Sequence, residues 1–168
     1  MYFGNWTKYE EMVHDFTKSR WEDSSKQVPE TMPPPENVLF ASYTTGSYDG
    51  CATVLFKQED KIYEVYGSHC SCNGLEECWE PDEVTWEALA LRIPEILDTG
   101  NDPYRDSYRG VGTTEARIYL VDLIESNLSY SEQQNRAMAK YKASTDPEEQ
   151  TKLEAKMVYL DEMLEKNT

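Results

Sequence analysis

The chain has 168 residues, the length of one domain, and carries 32 acidic against 16 basic side chains for a formal net charge of −16. That charge argues against direct nucleic-acid binding or attachment to an anionic membrane and favours basic protein surfaces, while 12 Tyr and 4 Trp argue against acidic disorder. No apolar run approaches the roughly 18 residues of a membrane span. The N-terminus has no basic stretch followed by an apolar one, so the expected location is the cytoplasm, with the 4 cysteines reduced.

In chain order, residues 1–18 read as an N-terminal helix. Thr7 and Glu10 have capping-box spacing, and Tyr9, Met12, Val13 and Phe16 recur at helical steps on one face. Residues 19–36 turn polar and end in Met32-Pro-Pro-Pro-Glu36. Locked φ angles and missing donors make this a stiff, extended connection.

Three strands follow at about 37–43, 51–57 and 61–67, rich in β-branched and aromatic residues and separated by Gly46–Gly50 and by Gln58-Glu-Asp60. They predict a three-stranded antiparallel sheet, and a hairpin pairing Lys57 with Lys61 would set Cys51 opposite Gly67. After a loop at 71–81, a helix capped by Asp82 is expected, with Val84, Ala88 and Leu91 on one face and a break at Pro94. Residues 101–112 read as loop and Thr114–Asn127 as helix. Ser131 and Gln134 suggest another capping box, and Asp146-Pro-Glu-Glu149 starts a last helix with acid at its positive dipole end. Leu153, Met157, Leu160 and Leu164 along that helix could pack on the domain or pair with a second copy. The expected architecture is therefore one α+β domain over 1–168: an N-terminal helix, the Pro-rich connection, sheet plus helix at 37–100, and a helical part at 101–168.

Two groups of side chains could carry function. Residues 74–106 hold ten carboxylates against two arginines, half of the net charge in a fifth of the chain. Glu76, Glu80, Glu83 and Glu87, at steps of four, three and four, would line one solvated face if helical. The second group is His69, Cys70, Cys72 and Cys78, with Cys51 nearby. These are soft ligands for a tetrahedral zinc, although the C-x-C step is a less favourable bite than the usual two-to-four-residue spacing. The ordinary alternative is reduced cysteines packed as small hydrophobes beside a hydrogen-bonded histidine. Thiol catalysis would need a base and an orienting group that this spacing does not supply.

The stretch Lys61–Leu91, with Gly67-Ser-His-Cys-Ser-Cys72, Gly74-Leu-Glu76 and Trp79-Glu-Pro81, resembles a family of small, mostly uncharacterised bacteriophage proteins. Cys78 stands where the family pattern has a polar residue, and Cys51 lies outside it. The resemblance covers about 30 residues and brings no activity; it implies a phage or prophage origin and therefore the bacterial cytoplasm.

Three functions compete. The first is a non-enzymatic inhibitor of a host nuclease or defence complex that mimics DNA. Duplex DNA carries one charge per roughly 1.7 Å, so sixteen charges match about 27 Å of duplex. Its contact surface would be the acidic segment 76–106, with Glu76, Glu77, Glu80, Glu83, Glu87, Asp102 and Asp106, extended by Glu148, Glu149, Glu154, Asp161 and Glu162. The second is protein binding through aromatic anchors, with Tyr104 and Tyr108 as exposed candidates. The third is a small metal-dependent protein or enzyme centred on His69, Cys70 and Cys72.

Overall fold

The computed structural model describes residues 1–18, 28–46, 48–71, 73–98 and 110–166. It is an α+β structure whose described residues form two compact units, Met1–Val121 and Asp122–Thr168. The sheet corrects the three-stranded expectation: it has five strands in the order β1 (Tyr2–Gly4), β2 (Val38–Thr45), β3 (Gly50–Gln58), β4 (Lys61–His69) and β5 (Asp82–Val84). β1 runs parallel to β2, and all other pairs are antiparallel. Both added strands are three residues long, too short for a period-two pattern, and they form by satisfying the open edges of β2 and β4.

The central hairpin pairs Gln58 with Lys61, one residue away from the expected register. Its turn is only Glu59-Asp60, with Glu59 at φ 56°, a left-handed conformation that nothing at this position announces because the residue is neither Gly nor Asn. Because side chains alternate, a one-residue slip sends each to the opposite face. Cys51 pairs with Ser68 rather than Gly67 and so faces away from His69.

On one face Ala41, Ala52, Val54, Phe56 and Val65 form a core with Trp6, Met12, Phe16, Leu75 and Trp79. The helix α1 (Tyr9–Thr17) lies over this face, burying Met12 and Phe16 as its periodicity requires. The Phe16 ring meets Trp79 edge-on at 4.9 Å, and Trp79 stacks on Phe56 at 5.8 Å. The start of α1 differs from the expected capping box. Thr7 donates from both its N–H (2.7 Å) and its hydroxyl (2.9 Å) to Glu11, not Glu10. These donors hold the Glu11 carboxyl below its usual range. The interaction is therefore in place at neutral pH and is lost as pH falls through that lowered value. The described part of the Pro-rich segment is pinned to this layer: Tyr9 donates to the Pro33 carbonyl (2.8 Å) and Trp79 to the Thr31 hydroxyl (3.1 Å).

The opposite face carries Phe40, Leu55 and Glu64. The helix expected from Asp82 is shorter and split. Asp82 lies in β5, Thr85 caps α2 (Trp86–Ala90) by accepting from the Ala88 N–H (3.2 Å), and α3 (Ile93–Leu97) follows with Pro94 in its first turn. Arg92 between them reaches Glu64 at 2.6 Å. The helix α4 (Thr114–Asn127) has the expected bounds, and its Tyr119 stacks on Phe40 at 6.3 Å.

In the second unit α5 (Tyr130–Ala143) begins two residues earlier than expected, because Ser129, not Ser131, is the cap and accepts from the Glu132 N–H (3.3 Å). α6 (Pro147–Lys166) starts at the Asp146-Pro147 signal, with Asp146 accepting from the Glu148 N–H (2.9 Å). Glu125 binds Lys140 (2.7 Å), Gln134 donates to Asp161, and Leu160 is buried. Among the described residues no helix is long and apolar enough to cross a membrane.

Candidate functional site

The acidic residues do not share a helix face. Glu76 and Glu77 occupy a turn closed by the Cys78 N–H donating to the Leu75 carbonyl (2.9 Å), Glu80 is in the following loop, Glu83 is on β5 and Glu87 is on α2. The reason is local: Glu77 sits at φ 92°, which ends any helical continuation. Glu77, Glu80, Asp82, Glu83 and Glu87 are nevertheless all exposed, and Glu83 pairs with Lys61 at 2.6 Å. Glu76 departs from them. It is only 9% exposed, and its Oε2 accepts from the Gly74 N–H at 2.8 Å. Asp102, Tyr104, Asp106 and Tyr108 lie outside the described residues, as does Cys72.

Glu76 stands in the wall of a cleft of about 620 Å³, and both histidines of the chain, His14 on α1 and His69 at the end of β4, stand in it too. Sequence reasoning found one of the two. The cleft forms where the end of α1, the β2–β3 turn and the loop after β4 meet at one edge of the aromatic core. His69 Nδ1 is 2.9 Å from the Cys70 carbonyl and Nε2 is 2.6 Å from the Tyr43 hydroxyl. A carbonyl can only accept, so Nδ1 carries the proton, and in the neutral ring Nε2 accepts from Tyr43. This makes an oriented phenol–imidazole pair that can hold and move a proton. Gly50 makes room for it: a Cβ there would stand 2.3 Å from His69 Nε2. His14 donates to Asp15 (3.2 Å), whose other oxygen accepts from Trp6 Nε1 (2.8 Å).

Comparison with protein-family models, curated proteins and solved structures gave no match. The geometry must therefore carry any assignment.

Among the described residues no three His, Cys, Asp or Glu side chains are grouped to hold a metal ion. For His69 to bind zinc it would have to give up one of its two hydrogen bonds. Cys51 cannot join it: its thiol lies on the far face of the sheet, accepting from the Tyr66 hydroxyl at 3.6 Å. Cys78 packs beside Gly67 on the His69 face and donates to the Ser68 carbonyl at 3.6 Å. Burial pushes the Cys78 thiol up, and Glu76, Glu80 and Glu77 add to the effect. A raised thiol is a poor nucleophile, whereas Cys70 is exposed. Iodoacetamide at pH 8, followed by site-resolved mass spectrometry, is expected to alkylate Cys70 at least about tenfold faster than Cys78. Equal rates would show that the Cys78 environment is more open than its contacts imply.

Proposed function

We propose that this protein is a phage-encoded acidic binding protein, not an enzyme, that captures a host protein with a basic groove, such as a nuclease or defence complex, and inhibits it in place of DNA. The observation carrying this reading is the 77–87 segment. Over a loop, the edge strand β5 and the first turn of α2 it exposes five carboxylates, with Lys61 paired to one of them, in a chain of net charge −16. Such a surface steers toward arginine- and lysine-lined grooves. The resemblance at residues 61–91 supports the phage origin.

The test is an affinity capture from bacterial lysate, washed at low and then at high salt. Screening shortens from about 10 Å at 0.1 M to about 3 Å at 1 M, so a partner held by charge is expected to elute between these limits. The variant Glu80→Gln/Asp82→Asn/Glu83→Gln/Glu87→Gln is expected to lose at least about tenfold in affinity for the same partner. A partner that survives 1 M salt and ignores the four substitutions would sink the charge-based reading in favour of aromatic anchoring. Absence of any partner at low salt would sink both.

A further inference from the structure

A phenol is a weak nucleophile at neutral pH unless a neighbouring base takes its proton as it attacks. Tyr43 has such a base. Its hydroxyl donates to His69 Nε2 at 2.6 Å, and His69 Nδ1 donates on its other side to the Cys70 carbonyl at 2.9 Å. Nucleophile, base and orienting acceptor thus stand in series. This is the order of a serine–histidine–carboxylate site, with a phenol in the first place and a backbone carbonyl in the last.

The surroundings hold the pair in place and leave it accessible. The Tyr43 ring packs on Trp6 with centroids 5.1 Å apart, and Trp6 is itself almost fully buried. Gly50 is the cross-strand partner of His69, and a Cβ there would stand 2.3 Å from His69 Nε2 and 2.9 Å from the Tyr43 ring. The missing Cβ is the space in which phenol and imidazole meet. Both residues are partly buried, yet both line the cleft of about 620 Å³, so the pair is open to a molecule that enters it. The charged groups around that molecule would be Asp15, Asp49 and Glu76 against Lys18, with His14 as the other titratable side chain. This surplus of carboxylates repels phosphoryl donors and favours uncharged or cationic ones.

We propose that Tyr43 is a covalent acceptor for acyl groups, activated by His69, and that the donor is an activated ester or thioester on an uncharged or cationic carrier. Tyr43 Oη attacks the acyl carbon while the phenolic proton passes to His69 Nε2. The C–O or C–S bond to the carrier then breaks, and the carrier leaves with that proton. The product is an O-acyl tyrosine in the cleft wall. One acylation per chain needs no turnover, so the site is compatible with a protein that is not an enzyme. It is also independent of the 77–87 edge surface.

The experiment treats the full chain at neutral pH with p-nitrophenyl acetate, an uncharged ester, and follows the acetylation of each tyrosine over time by peptide mass spectrometry. Tyr48 is the internal reference. It lines the same cleft and is 75% exposed, so access alone would rank it ahead of Tyr43. Activation reverses that order: Tyr43 is expected to react at least about tenfold faster than Tyr48. His69→Gln keeps a hydrogen-bonding amide beside the phenol but no group that can take its proton. It is expected to slow Tyr43 at least about tenfold and to leave Tyr48 unchanged. A purely structural hydrogen bond predicts the opposite, since losing it would free the hydroxyl and speed its reaction. The anionic ester mono-p-nitrophenyl succinate is expected to react more slowly at Tyr43 than the acetate, and a preference for it would overturn the assigned donor class. The wild-type ratio of the two tyrosines tests the proposal even if His69→Gln fails to fold. Tyr43 reacting no faster than Tyr48, or reacting undiminished in a folded His69→Gln protein, would overturn it.

Discussion

Gly110→Ala is expected to destabilise the protein by roughly 3–4 kcal/mol, adding a left-handed backbone penalty of about 1–2 kcal/mol to an overpacking cost of about 1–3 kcal/mol. Gly110 has φ 84°, and a Cβ built on it would stand 2.2 Å from the Cys51 carbonyl oxygen, 2.5 Å from its carbon and 2.7 Å from the Ala52 nitrogen. These are backbone atoms of the central strand β3, so no side-chain rotation can relieve the contact. The segment cannot simply lift away either. Ser42 donates from β2 to the Gly110 carbonyl (2.8 Å), Val111 is fully buried, and the Arg117 Nε–H donates to the Val111 carbonyl (3.0 Å). Thermal unfolding is expected to fall by about 10 °C for a chain of this size. Gly46→Ala is the control. Its nearest neighbour would be the Asp49 carbonyl oxygen at 3.8 Å, an ordinary contact, and its midpoint should move by no more than about 2 °C. A Gly110→Ala protein as stable as the control would show that the strap from 110 to 111 is not held against β3.

Arg92→Ala is expected to cost roughly 2 kcal/mol. Glu64 is 7% exposed and meets Arg92 at 2.6 Å on the face of the sheet opposite α1. Removing one partner of a buried pair leaves the other charge desolvated, typically costing about 3–5 kcal/mol. The figure here is lower because Arg92 is about a third exposed, so water already screens part of the attraction. Replacing both partners behaves differently: Glu64→Leu/Arg92→Leu is expected to recover most of the loss, since neither charge then needs solvation. Urea unfolding of the two variants measures this directly. A double variant less stable than Arg92→Ala would mean that the pair contributes packing that leucines cannot replace.

The elements that were legible in the sequence are those whose own residues supply both pattern and punctuation. Met12 and Phe16 mark the buried face of α1, the three long strands carry β-branched and aromatic runs, and Asp146-Pro147 marks the start of α6. α4 has its expected ends, since a long periodic segment needs only its own side chains to declare a face. The exposed carboxylates were legible as charge but not as geometry. Their four-three-four spacing reads as a helix, whereas they lie on a turn, a strand and a second helix because Glu77 turns the chain in a conformation normally left to glycine.

Composition and local pattern by themselves determined an acidic α+β chain, three strands, the amphipathic first helix and the bounds of the long fourth one. Tertiary structure alone decided the two edge strands, whose three residues each gain order only from a neighbour's unpaired backbone. It also decided the hairpin register, where a single residue of slip moved Cys51 from the His69 face of the sheet to the other. The cleft belongs to the same class. His14 and His69 are far apart in sequence, and Glu76 differs from its acidic neighbours only in where its turn places it. Burial of a charge and convergence of distant side chains are properties of packing, and no spacing along the chain encodes them.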